Sequence, residues 1–335
     1  MTDHRAFIDR LAAGYQESLL VLAANHLGVF GALADGPRGA ADLATTLDVD
    51  LRALDIMLCA LVGVEVLTQP APHTFAMGED LQPLLDPHGT ETMSSILDHH
   101  HHLVASWSQL ADVVRSGRPA SASQQPRDEN RLRAFICGMK DISRRSSVEV
   151  ADALPELGAR RRLLDLGGGP GTSALAFCAR WPELRAVVFD LPPVLDIARA
   201  EIAAAGLTDR VTTLDGDFHV DPLLRDGAEP YDVVYISNII HSLSPAETAV
   251  LLTRVTSVLA DDGLVVLKDF YLDDTRTRPA FGSRFAVNML VGTEGGKSYT
   301  WAETEALCHD AGLGDVRRLA VAVNSGLVVA RRVAG

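Results

Sequence analysis

Residues 161–190 read RRLLDLGGGPGTSALAFCARWPELRAVVFD. Asp165, Gly167, Gly169 and Gly171 alternate directly after the apolar pair Leu163 and Leu164, and apolar residues at helical spacing follow over 172–181. This predicts a strand, a glycine turn and a helix. Glycines carry no side chain, so a ligand can approach the backbone amides at the helix N-terminus. The dinucleotide fingerprint needs a further glycine three places after the second, where this chain has Thr172, so a nicotinamide cofactor is disfavoured. Asp190 closes the next strand. A carboxylate there accepts from two vicinal ribose hydroxyls and repels a 2′-phosphate. The pattern points to a cofactor built on an unphosphorylated nucleoside.

The elements that must position these residues follow from the hydrophobic pattern. Apolar runs at 211–214, 233–237 and 264–270, separated by helical patterns, predict a doubly wound α/β fold with a parallel sheet. A helix over 302–311 precedes two apolar runs, 316–323 and 327–333, around Asn324, Ser325 and Gly326. That is a hairpin, so the sheet should end antiparallel. Ligands of such sheets bind outside the carboxyl ends of the strands.

The N-terminal part reads differently. Ile8, Leu11, Ala12, Tyr15, Leu19, Leu22 and Ala23 recur at helical spacing, an apolar stripe that something must cover. Two helical patterns within 39–67, then a polar segment over 69–74 and Phe75, outline a winged helix-turn-helix. DNA binding would demand cations. Residues 1–98 hold only Arg5, Arg10, Arg38 and Arg52 against fourteen Asp and Glu, so the helices are expected to pack on a second subunit instead. His99, His100, His101 and His102 are consecutive; on a helix they point about 100° apart and cannot all ligate one metal. They are read as solvated or packed, with Trp107 further along as core or pocket wall. Residues 116–130 form a polar connector, and 132–154 is helical again.

Composition bounds the partners. The chain has 335 residues and a net charge of −14, so its surface should repel nucleic acid and anionic membranes. Neither a signal peptide nor an apolar span is evident, which suggests a cytoplasmic protein. Cys59, Cys137, Cys178 and Cys308 lack any C-x-x-C spacing and are expected to be buried, reduced thiols.

Asp165, Gly167, Gly169 and Gly171 give D-x-G-x-G-x-G, which resembles the first motif of class I S-adenosylmethionine methyltransferases. With FDLPPV, GDF, SNIIHSLSPAE, LVVLKDF and NMLVGTEGGK, residues 160–335 are similar to small-molecule O-methyltransferases of the caffeic acid and hydroxyindole type. The resemblance implies a Rossmann-like methyltransferase sheet, parallel with an antiparallel terminal hairpin, preceded by an α-helical winged-helix dimerisation domain. The expected division is 1–98 for dimerisation, 99–155 as a helical connector lining the acceptor pocket, and 156–335 for the cofactor. It implies S-adenosylmethionine as cofactor, S-adenosylhomocysteine as product, a small aromatic hydroxylated acceptor, a homodimer and no metal. Asp165, Gly167, Gly169, Asp190, Leu191, Gly216, Asp217, Phe218 and Ser237 are matched to the cofactor. His241 is matched to the general base and Asp269 to the acid that orients it. Trp107, Phe135, Met139, Asn288 and Met289 are matched to the acceptor, with core packing as the other reading of Phe135, Met139 and Met289. Ser242, Leu243 and Ser298 depart from the family, which usually has Asp and Trp after the base and Glu after the Gly-Gly-Lys stretch. Methylation of carbon or nitrogen, or chemistry without methyl transfer, is therefore a second expectation, and a DNA-binding regulator a third.

Overall fold

The structure, a computed structural model, describes residues 3–89, 91–124, 129–321 and 324–333. The chain divides into two compact units, 1–104 with 127–142, and 105–126 with 143–335.

In the first unit α1 (His4–His26) begins at Asp3, whose carboxylate accepts from the Arg5 and Ala6 amides. Only its last turns are buried, through Leu22, Ala24 and Asn25. Then come α2 (Val29–Ala32), β1 (Arg38–Gly39), α3 (Ala40–Leu47), α4 (Leu51–Gly63), β2 (Leu67–Ala71), β3 (Thr74–Met77) and α5 (Gln82–Leu85). The strands form an antiparallel sheet in the order β1-β3-β2. Asp50 caps α4 by accepting from Ala53 N at 2.8 Å. Leu54, Leu58 and Leu61 then face Phe30, Leu43 and Phe75 in the core, as their helical spacing requires. Cys59 lies off that stripe and is exposed, and Cys137 is half-buried; the expectation of buried thiols holds for Cys178 and Cys308 only.

Next along the chain are α6 (Ser94–Trp107), α7 (Leu110–Ser116) and α8 (Glu129–Ala153), which passes from the first unit into the second. The His101 ring stacks on His26 with centroids 4.2 Å apart, and His99 meets Phe135 edge-on at 5.2 Å. The connector read at 116–130 lies partly outside the described residues. Its described part is not a solvated tether, because Ala120 is buried against Val291 and donates to the Val291 carbonyl at 3.0 Å.

The second unit is built on β4 (Arg162–Leu166), α9 (Thr172–Arg180), β5 (Arg185–Asp190), α10 (Pro192–Ala204), β6 (Val211–Asp215), β7 (Tyr231–Ser237), α11 (Pro245–Val258), β8 (Leu259–Asp269), α12 (Ala280–Gly292), α13 (Trp301–Asp310), β9 (Leu313–Val321) and β10 (Ser325–Arg332). Seven strands form one sheet in the order β6-β5-β4-β7-β8-β10-β9. The first five are parallel, and β10 pairs antiparallel with both β8 and β9. The order reverses between β4 and β7, which opens a crevice at their carboxyl ends. One sheet face packs Leu163, Val233, Tyr235 and Val266 with residues of α8, α9 and α10. The other packs Leu164, Val234, Ile236 and Leu267 with α11 and α13.

Two boundaries differ from the sequence reading. β8 starts at Leu259 rather than 264, because Asp262 at φ +63° and a register shift opposite Tyr231 and Val233 carry the strand through an ADDG stretch that looks like a turn. Ser325 and Gly326 are paired strand residues, opposite Val321 and Ala320, not turn residues. Gly326 is required by packing: a Cβ there would collide with the Trp301 ring.

Candidate active site

The glycine turn joins β4 to α9. Gly167, Gly169 and Gly171 have φ of +65°, +55° and +77°, conformations that L side chains rarely adopt. At Gly167 a Cβ would also stand 2.5 Å from Ile239 Cδ1, so the turn is pressed against the segment that leads to His241. Gly171 caps α9 without a side chain; Asp165 supplies the missing acceptor by bonding Ala174 N at 3.1 Å. Asp165 is buried, and desolvation, with the Asp190 carboxylate nearby, pushes its pKa up to about 7.

That shift has a stability consequence. As pH rises above the ordinary aspartate range the unfolded chain releases this proton while the fold keeps it, so the fold loses stability between about pH 4 and 7. Asp165→Asn is isosteric and can still accept from Ala174. Its melting temperature should exceed that of the wild type at pH 8 and converge with it toward pH 4; parallel pH profiles would remove Asp165 as the titrating group.

Asp190 ends β5. Its Oδ2 accepts from Gly169 N and its Oδ1 from Leu191 N, both at 2.8 Å. The carboxylate is thus fixed beside the glycine turn, with exposed Leu191 next to it. Burial raises its pKa and the two amides oppose the rise. Gly216 follows β6 and packs on Phe189, where a Cβ would stand 2.8 Å from Cζ. Asp217 Oδ1 accepts from His219 N at 2.9 Å, which orders its own turn, and Phe218 is half-buried. Ser237 ends β7.

His241 and Asp269 come from the ends of β7 and β8. His241 Nδ1 lies 2.7 Å from Asp269 Oδ1, and both residues are buried. Asp269 also accepts from Phe270 N at 2.8 Å and from His241 N at 3.3 Å. A carboxylate facing Nδ1 places the ring proton there, which leaves the Nε2 lone pair for an acceptor. Lys297 N donates to the His241 carbonyl at 2.8 Å. Gly296 permits that approach, since a Cβ there would clash with Thr293 Oγ1 and the His241 carbonyl.

α12 walls this pair. Phe285 stands edge-on to the His241 ring at 4.7 Å, and Phe270 and Phe281 complete an aromatic cluster. Asn288 Oδ1 accepts from Trp107 Nε1 at 2.9 Å, which joins two residues matched to the acceptor, while Met289 is buried. Phe135 and Met139 lie on the part of α8 that belongs to the first unit. The sequence reading missed Phe281 and Phe285. Their signal was available: 281, 285, 288 and 289 share one helical face. Ser298 Oγ donates to the Gly282 carbonyl at 2.9 Å and Leu243 is core, so neither side chain is hydrogen-bonded to the imidazole. Among the described residues no group of three or more His, Cys, Asp and Glu is arranged to hold a metal, and no helix is long and apolar enough to cross a membrane.

A sheet of this strand order, with a glycine turn at its reversal point and an imidazole–carboxylate pair on the neighbouring strand ends, defines a Rossmann-like methyltransferase. A family model described as an O-methyltransferase domain matches residues 107–314, and the chain belongs to that family of S-adenosylmethionine-dependent enzymes. It is 30% identical over 315 residues to the 3-hydroxy-5-methyl-1-naphthoate 3-O-methyltransferase of Streptomyces sahachiroi, covering 92% of this chain and 89% of the relative. It is 28% identical over 329 residues to the acetylserotonin O-methyltransferase of Bos taurus, covering 93% of each. The crystal structure of human N-acetylserotonin methyltransferase in complex with S-adenosylmethionine superposes with a TM-score of 0.87 at 22% identity, over 99% of this chain and 98% of that one.

Proposed function

We infer that the protein methylates a hydroxyl of a small aromatic metabolite, with His241 as general base and Asp269 as its positioning partner. The observation that carries this reading is the 2.7 Å contact of Nδ1 with Asp269 inside a phenylalanine-walled site. When bound, S-adenosylmethionine supplies an already activated sulfonium methyl. The chain then has to align the acceptor and take its proton. Nε2 of His241 takes the hydroxyl proton, and Asp269 stabilises the imidazolium that forms. Phe270, Phe281 and Phe285 give a flat ring edges and faces to pack on, and the Trp107–Asn288 pair offers a polar group beside them. The amides of the glycine turn, Asp190 and exposed Leu191 would hold the nucleoside, with Gly216, Asp217, Phe218 and Ser237 at the neighbouring strand ends. Nothing in this chemistry calls for a metal. The test is incubation with methyl-labelled S-adenosylmethionine and a panel of phenols, naphthols and arylamines, read by mass spectrometry and by NMR of the labelled methyl. A product heavier by one methyl on oxygen, with S-adenosylhomocysteine released, is expected; transfer only to amines or carbon would overturn the choice of oxygen.

The N-terminal part is read as a dimerisation domain over 1–98 with winged-helix layout, followed by a connector over 99–155. On α1, Phe7, Ile8, Leu11 and Tyr15 are 46 to 61% exposed, a surface that water alone would solvate poorly. A second copy of the chain is the proposed cover. Leu11→Glu should convert a dimer into a monomer in sedimentation equilibrium; a wild type that sediments as a monomer would end this reading.

A further inference from the structure

β8 ends in two charged residues. Asp269 turns to the His241 side, and Lys268 turns to the opposite face with Val266, Tyr235 and the helices α8 and α9. Lys268 is only 3% exposed and stands in register with Ser237 on β7; its carbonyl accepts from Asn238 N at 2.9 Å, while its ammonium forms no ion pair within 4 Å among the described residues. A cation desolvated to this degree favours an anion beside it. Its electrostatic neighbours are Asp269 and, from α8, Glu149, and burial holds its pKa below the usual lysine range. Glu149 Oε1 accepts from Arg145 Nε at 3.0 Å, but its Oε2 is buried and has no partner. Two residues earlier on α8, Ser147 meets Ser173 of α9 hydroxyl to hydroxyl at 2.9 Å, which ties this stretch to the helix that starts at the glycine turn. Opposite charges are therefore held near each other but apart, at the carboxyl edge of the sheet.

We propose that Lys268 and Glu149 form a clasp for the zwitterionic amino-acid end of the cofactor, Lys268 taking the carboxylate and Glu149 the ammonium. The nucleoside end is already claimed by Asp190, two strands away from β7 across β4, which leaves the methionine end to run toward β7 and β8. This inference rests on the cofactor reading above.

Calorimetry with two ligands tests it: S-adenosylhomocysteine, and 5′-methylthioadenosine, which keeps the nucleoside thioether and lacks the amino-acid end. Lys268→Met and Glu149→Gln should each weaken S-adenosylhomocysteine about 10- to 100-fold and leave methylthioadenosine within twofold of the wild type. Unchanged methylthioadenosine binding also shows that the variant is folded; should Lys268→Met fail that control, the half-exposed Glu149→Gln decides alone. Equal losses for both ligands, or no loss for S-adenosylhomocysteine, would overturn the clasp. A wild type that binds neither nucleoside would remove the cofactor reading itself.

Discussion

Replacing His241 by alanine is expected to lower kcat for methyl transfer about 10²- to 10⁴-fold while the affinity for S-adenosylhomocysteine changes less than twofold. The imidazole is held by Asp269 from one side and by Phe285 from another, and neither the glycine turn nor Asp190 is hydrogen-bonded to it. Its loss should therefore remove proton transfer without disturbing the nucleoside. A structural role makes a different prediction, and the acceptor can tell the two apart. A nitrophenol, largely ionised at neutral pH, needs no base. His241→Ala should cost that acceptor far less than it costs an unsubstituted phenol. Asp269→Asn should show the same selectivity, because an amide can no longer stabilise the imidazolium. An identical loss for both acceptors would assign His241 to packing rather than to proton removal.

Much of this arrangement was legible in the sequence for identifiable physical reasons. Strands buried on both faces, such as β4 and β7, show as unbroken apolar runs, and glycine at alternate positions has few uses other than a tight approach of backbone. The turn, the acid closing β5 and a parallel sheet that ends antiparallel follow from that. What escaped depends on contacts between distant segments. Trp107 and Asn288 were each singled out, but a hydrogen bond spanning 181 residues of chain has no local signature. Phe281 and Phe285 have the spacing of an ordinary core face, and only His241 lying beside them gives that face a chemical meaning. Gly326 looked like a turn residue because glycine usually is one; the Trp301 ring from α13 is the actual constraint. Lys268 sat within a strand motif and drew no attention, since the burial of a lysine on a sheet face is visible only once its surroundings are known.

Asp190→Ala should have the second large effect, and it should fall on binding instead of turnover. The carboxylate already accepts from Gly169 N and Leu191 N, so each oxygen has one lone pair engaged and one to spare. Two ribose hydroxyls donating to the spare positions would form charge-assisted bonds worth about 1.5 to 3 kcal/mol each. Their combined loss corresponds to about 10²-fold or more in the dissociation constant of S-adenosylhomocysteine. The variant also leaves the Gly169 amide without its acceptor and loosens a turn that glycine φ values above +50° already hold in an uncommon shape. A loosened turn would weaken every nucleoside ligand alike, whereas loss of hydroxyl recognition would not. The 2′-deoxy analogue of S-adenosylhomocysteine separates these contributions. It should bind the wild type much more weakly than the parent, and Asp190→Ala should erase most of that difference. Should the variant discriminate between the two ligands as strongly as the wild type, the ribose is held elsewhere and Asp190 serves only to brace the turn.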